Sequence, residues 1–122
     1  MANLDSAEDR RARLVELCSR LPETENEGGR HIAFRVRRRT FAYYLDDHHG
    51  DGRRALTCKT SLGWHAELAE IDPISYFFPP YLGPKGWVGL RLDLDDVDWN
   101  EVERLVTESY RLVAPKRLAA LL

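Results

Sequence analysis

The segment from residue 87 to residue 98 constrains the fold more than any other part of the chain. Its apolar residues alternate with small or charged ones, in the order Val88, Gly89, Leu90, Arg91, Leu92, Asp93 and Leu94. A period of two is typical of a β-strand that buries one face. Asp98 follows, with Glu101 three positions later, which is typical of a helix N-terminus. We therefore expect a sheet covered on one face, with a helix that begins soon after this strand.

The remaining elements place helices at both ends of the chain and strands between them. Asp5 or Ser6 can cap a first helix, which Pro22 ends. Further strands are predicted in "HIAFRV", "TFAYYL", "RALTCKT" and "ISYFF", a short helix in "SLGWHAELAEI", and a last helical turn after Pro115. The buried stripe of the long C-terminal helix is predicted as Val102, Leu105, Val106, Leu112 and Val113. This order predicts an α+β two-layer sandwich with a mainly antiparallel sheet and helices on one face, as a single domain over residues 1–122.

Charge is unevenly distributed along the 122 residues. The net charge is −2, but residues 30–65 carry 8 basic and 3 acidic side chains, a net charge of +5. The segments before and after have net charges of −3 and −4. If the middle segment forms one face, an anionic partner would approach that face.

The basic cluster "RVRRR" carries the most specific functional signal. On a regular strand Arg35, Arg37 and Arg39 would share one face and could pair with phosphates, as in a β-ribbon or wing. The predicted nucleic-acid-binding residues are Arg35, Arg37, Arg38, Arg39, Arg53, Arg54 and Lys59. The alternative is a solvated strand whose arginines pair with Asp46, Asp47 or Asp51.

Catalytic and metal-binding signals are weak. "DDHHGDG" has the side-chain types of a metal site, but its spacing favours a solvated hairpin turn. Cys18 and Cys58 are predicted to be core residues, and His65 to be a partly buried structural histidine rather than a catalytic base. No nucleophile, zinc, phosphate-loop or dinucleotide motif occurs, so we expect no catalytic residues, metal or cofactor and favour a non-enzymatic protein.

The stretch "FFPPYLGPKG" is predicted to be a stiff turn, because its prolines restrict φ and its glycines permit sharp bends. Tyr81 and Lys85 are left at its apex, where they could reach a ligand. No apolar run is long enough to span a bilayer, and the first residues are charged rather than signal-like. We expect a cytoplasmic protein without a membrane partner.

Three ordered segments resemble the MmcQ/YjbR family over roughly residues 10–120. They are "LPETENEGGRHIAFRVRRRTFAYYL", "PPYLGPKGWVGLRLD" and "DWNEVERLVTESYRLVAPKRL". The most specific part pairs Lys85 to Val88 with a helix that carries Ser109 and Tyr110 and ends at Ala114-Pro115-Lys116.

The resemblance implies a CyaY-like sandwich and a double-wing DNA-binding protein, with two β-hairpins as wings. The predicted function is therefore a non-enzymatic module that contacts DNA phosphates. The resemblance also places Ser109, Tyr110 and Lys116 behind the 77–86 turn. The alternative function is a small-ligand or protein-binding domain with a pocket near Tyr81, Lys85, Trp87, Ser109, Tyr110 and Lys116.

Overall fold

The first helix begins and ends where its capping residues predict. The computed structural model describes residues 6–61 and 63–122. Helix α1 spans Ala7–Ser19; the Ser6 hydroxyl accepts from the Asp9 amide, and the Asp9 carboxylate accepts from the Ser6 amide. This reciprocal pair satisfies two amides that the helix itself leaves without partners. Leu14 and Cys18 form its buried face. Asp5, the alternative cap, lies outside the described residues.

In the part of the chain that the structure describes, six antiparallel strands form one sheet: β1 (Thr24–Gly28), β2 (Ile32–Val36), β3 (Arg39–Asp46), β4 (Arg54–Lys59), β5 (Tyr76–Phe77) and β6 (Trp87–Arg91). Their order in the sheet is β1-β2-β3-β4-β6-β5. The other helices are α2 (Trp64–Ile71), α3 (Trp99–Val113) and α4 (Lys116–Ala119). The predicted α+β class with an antiparallel sheet is confirmed.

One face of the sheet packs against the helices and forms the core. Phe34, Leu56, Cys58, Val88 and Leu90 from the strands meet Leu14 of α1 and a stripe of α3 in one hydrophobic cluster. The stripe is Val102, Leu105, Val106, Ser109 and Tyr110. The predicted stripe was wrong at Leu112, which is 43% exposed, and it omitted Ser109 and Tyr110, which are fully buried. Leu112 lies at the edge of the stripe, in the last turn of α3.

Segment 78–86 connects β5 to β6. Phe77, the last residue of β5, lies on the sheet face opposite the helices. A Cβ built at Gly89 would lie 2.3 Å from the Phe77 ring, so the glycine makes room for the aromatic side chain. The amide and hydroxyl of Thr60 both donate to the Gly86 carbonyl, at 2.9 and 3.0 Å. The predicted stiff turn is therefore anchored to the end of β4.

Two strands differ from the sequence-based expectation. Strand β1 was not predicted, because "TENEG" contains no apolar residue and no alternation. It forms through backbone pairing with β2 and an ion pair from Glu27 to Arg35 at 3.2 Å. Strand β5 is shorter than predicted, since only two of its residues pair with β6. Among the described residues, no helix has the length and apolar character needed to cross a bilayer.

Candidate nucleic-acid interface

The tip of the β2–β3 hairpin is built from two arginines in an unusual backbone conformation. Val36 pairs with Arg39, so Arg37 and Arg38 form a two-residue turn, with φ of 50° and 69°. Positive φ at both central residues is the signature of a type I′ turn, for which Asn-Gly is the preferred sequence. The predicted hairpin is present, but the regular strand on which Arg35, Arg37 and Arg39 would share one face is not, because β2 ends at Val36 and its register shifts at Arg35.

Glu23 holds one of the two turn arginines. The Arg37 guanidinium donates to both carboxylate oxygens of Glu23, at 2.7 and 3.3 Å. These hydrogen bonds lower the pKa of Glu23, so its carboxylate stays charged at neutral pH. Arg38 and Arg39 are exposed, and neither forms an ion pair with the residues that the structure describes. Two cations at the tip are therefore open to an external anion.

Helix α4 adds basic side chains beside this tip. The Arg117 guanidinium lies 3.8 Å from the Glu23 carboxylate that also binds Arg37. Lys116, its neighbour in the chain, is exposed. We call Arg37, Arg38, Arg39, Lys116 and Arg117 the basic end. Sequence reasoning missed the contribution of Arg117, because no local pattern links residue 117 to residue 37.

The other predicted nucleic-acid-binding residues lie elsewhere. Arg35 pairs with Glu27, and Lys59 lies at the end of β4. Arg53 and Arg54 are at the β3–β4 connection, which lies at the opposite end of β3 from the basic end. There the Arg53 guanidinium stacks 4.3 Å from the centre of the Phe77 ring, and Arg54 lies 3.6 Å from Asp46. The structure therefore does not bring the seven residues into one surface.

The β3–β4 connection is a histidine-containing turn with its own hydrogen bonds. Asp47 accepts from the Gly52 amide at 2.7 Å, and the Asp46 amide donates to Nδ1 of His31 at 3.0 Å. Burial and the neighbouring His49 and His31 lower the pKa of His48. Within residues 6–61 and 63–122, no three His, Cys, Asp or Glu side chains are grouped so that they could hold a metal ion.

The structure does not bring the six residues of the alternative pocket together. Ser109 and Tyr110 are fully buried on the helix side, where the Tyr110 hydroxyl donates to the Pro22 carbonyl at 2.6 Å. Trp87 points to the opposite face, since its neighbour Val88 lies in the core, and its ring is 5.8 Å from Tyr43. Tyr81 is 82% exposed and Lys85 is also exposed. Lys116 lies at the basic end.

The side chains considered for catalysis are buried or pack against other side chains. His65 is partly buried, with its ring 5.5 Å from that of Phe78. Cys18 and Cys58 are buried and form no disulfide, as expected for core residues. Burial raises the pKa of the Cys58 thiol to about 12, so it is protonated at neutral pH and a poor nucleophile.

The fold and the basic end together define a small α+β protein in which an antiparallel sheet presents an arginine-tipped hairpin. The YjbR family model matches residues 19–112 of the sequence, so the chain belongs to the YjbR family. A similar solved structure is the crystal structure of Deinococcus radiodurans protein DR2400, which carries the family-model domain DUF419. It is 24% identical, with a TM-score of 0.67, and the alignment covers 88% of this chain and 77% of that one. This likeness shows the shared fold. No curated protein matches the sequence.

Proposed function

We propose that this YjbR-family protein is a non-enzymatic DNA-binding module that contacts phosphates through the tip of its β2–β3 hairpin. The observation that carries the proposal is the turn itself. Arginine occupies both positions where positive φ favours Asn-Gly, and each such residue costs about 1 kcal/mol or more. Glu23 holds Arg37, so the cost at that position has a structural partner, but Arg38 stands exposed next to Arg39. A costly turn that exposes Arg38 at the tip is better explained by binding than by folding.

The chemistry of the basic end suits a phosphate backbone. Guanidinium groups bind phosphate oxygens through paired, charge-assisted hydrogen bonds. Arg38 and Arg39 provide such groups from the hairpin, and Lys116 and Arg117 supply further positive charge from α4. Contacts of this kind position a duplex without reading its bases, so the proposed binding has little sequence preference.

The proposal assigns binding to one wing rather than two. The β3–β4 connection carries Asp46, Asp47 and Asp51, and its Arg54 already faces Asp46. These carboxylates would repel phosphate, and Arg53 is stacked on Phe77. The second hairpin is therefore a weaker phosphate-binding surface than the first.

The test replaces Arg37-Arg38 with Asn-Gly, the sequence that suits this turn. Fluorescence anisotropy with labelled duplex and single-stranded DNA, at low and moderate salt, measures the affinity and its salt dependence. We expect the variant to unfold at the same or a higher temperature and to bind DNA much more weakly. The slope of log affinity against log salt should become shallower by about 1 to 2, corresponding to one or two lost phosphate contacts.

The matched control replaces Arg13 and Arg30 with Ala, which changes the net charge by the same amount away from the hairpin tip. Arg30 lies in the β1–β2 turn, at the opposite end of β2, and Arg13 stacks on Trp99. Equal losses in both variants would mean that only net charge matters. Unchanged binding by the Asn-Gly variant would remove the hairpin from the interface.

A further inference from the structure

A second surface, distant from the basic end, is apolar at its floor. A cavity of about 420 Å³ lies between α2, β6 and the start of α3. Its apolar lining includes Leu68, Tyr76, Leu90 and Val97. Ile71 at one side of the cavity is 74% exposed, and Ile74, three residues further along the chain, is 70% exposed. An isoleucine that lines an apolar cavity and is still largely exposed is typical of a surface that another molecule covers.

The rim of this groove is acidic. Four carboxylates and one guanidinium line it, giving a net charge of −3; they are Asp72, Asp96, Asp98, Glu101 and Arg91. Two of these groups are already paired. Arg91 donates to both oxygens of Asp93, at 2.9 and 3.0 Å, and Glu101 accepts from Arg104, at 2.8 and 2.7 Å. Asp72, Asp96 and Asp98 form no ion pair with any described residue and carry the negative charge of the rim. A ligand here must bring positive charge.

From this chemistry we infer that the groove binds a basic, partly apolar peptide segment of another protein. Lysine and arginine suit the site, because their aliphatic stems can cover apolar surface while their charged ends reach a carboxylate rim. Apolar residues between them would cover Ile71. Nucleic acid does not suit the groove, because phosphates would meet the carboxylates. A small amine would leave Ile71 exposed.

The inference is independent of the proposed DNA binding. The groove lies at the first turn of α3, whereas the basic end lies beyond its last turn. The 15 residues of α3 separate the two by about 22 Å. The sheet order also places β2 and β3 on the other side of β4 from β6 and β5. A peptide in the groove would therefore leave the basic end accessible.

The experiment is an NMR titration of the ¹⁵N-labelled protein with the synthetic peptide KLKVKLK and its charge-reversed counterpart ELEVELE. We expect KLKVKLK to shift amide signals around the groove, those of Ile71, Leu90 and Val97 among them, and ELEVELE to leave them unchanged. The absence of these shifts with KLKVKLK up to about 1 mM peptide would overturn the inference, as would shifts spread over all acidic surfaces.

Paired variants separate the groove from general surface effects. Replacing Ile71, which lines the groove, with Ser should weaken peptide binding about tenfold, since the isoleucine would no longer be buried against apolar residues of the peptide. The control Leu121→Ser removes a similarly exposed apolar side chain elsewhere and should change nothing. Asp96→Asn should weaken binding severalfold, whereas Glu103→Gln, on exposed α3 surface outside the groove, should not. Equal effects of variants and controls would refute the site.

Two other occupants would give different results. If the groove signals shift when the protein alone is diluted, a second copy of the chain fills the groove and the inferred occupant is wrong. If spermidine produces the same shifts at the same concentration as the peptide, the ligand is a small amine and the inference also fails.

Discussion

Ser109 provides the sharpest test of whether the C-terminal part of α3 is scaffold or binding site. Its hydroxyl donates to the Phe41 carbonyl at 2.5 Å and accepts from the Lys59 amide at 2.9 Å. The side chain is fully buried, so it joins α3 to β3 and β4 away from solvent. Ser109→Ala removes both hydrogen bonds and leaves their backbone partners without this hydroxyl. We predict a loss of stability without a loss of ligand binding.

The size of the effect follows from the two contacts. A buried polar group left without its partner costs about 1 to 3 kcal/mol, so we expect the free energy of unfolding to fall by about 2 kcal/mol. Unfolding entropy is about 2.1 cal/mol/K per residue, or about 0.26 kcal/mol/K for 122 residues. The melting temperature should therefore fall by about 8 °C.

Thermal and urea unfolding followed by circular dichroism measure both quantities. Ser19→Ala makes the same chemical change at an exposed position at the end of α1 and should leave the melting temperature nearly unchanged. An unchanged melting temperature for Ser109→Ala would refute the structural role. If ligand or DNA binding were lost while stability was retained, Ser109 would belong to a binding pocket, as the alternative sequence prediction held.

Two further predictions concern the opposite face of the sheet and the start of α3. Gly89→Ala should destabilise the fold by about 1 to 3 kcal/mol, because the new Cβ would meet the Phe77 ring. Phe77→Ala should relieve that clash, so additive urea-unfolding energies in the double variant would contradict the explanation. The hydrogen bond from Arg104, together with that from the Tyr76 hydroxyl, holds the pKa of Glu101 below its usual 4.5. The ionised Glu101 carboxylate therefore stabilises the folded state above about pH 4.5, and this stabilisation is lost as the pH falls through the lower folded-state pKa. Glu101→Gln should reduce the acid-induced drop in the urea midpoint, and an identical drop in both proteins would show that Glu101 is not responsible.

Local patterns predicted the elements whose signals lie within a few neighbouring residues. The alternation from Val88 onward gave β6, and Asp98, whose side chain accepts from the Asn100 and Glu101 amides, marks the start of α3. Strand β1 could not be predicted in this way, because polar residues form an edge strand only when a neighbouring strand offers its backbone.

The candidate site was only partly predictable. Sequence identified the arginines of the hairpin, but a shared face for Arg35, Arg37 and Arg39 required a regular strand, and the chain turns at Arg37 and Arg38. The alternative pocket also grouped Tyr81, which is exposed, with Tyr110, which is fully buried. Proximity in a family motif does not establish proximity in space.

The amino-acid sequence by itself determined the α+β class, the order of most elements and the concentration of positive charge in the middle of the chain. These follow from hydrophobic periodicity, capping residues and composition, which act over short stretches. Only the tertiary structure decided which charges meet. It brings Glu23 between Arg37 and Arg117, and it places Asp72 beside Asp96 around an apolar groove. Such groupings depend on how strands and helices pack, because residues far apart in the chain become neighbours only when the core is buried.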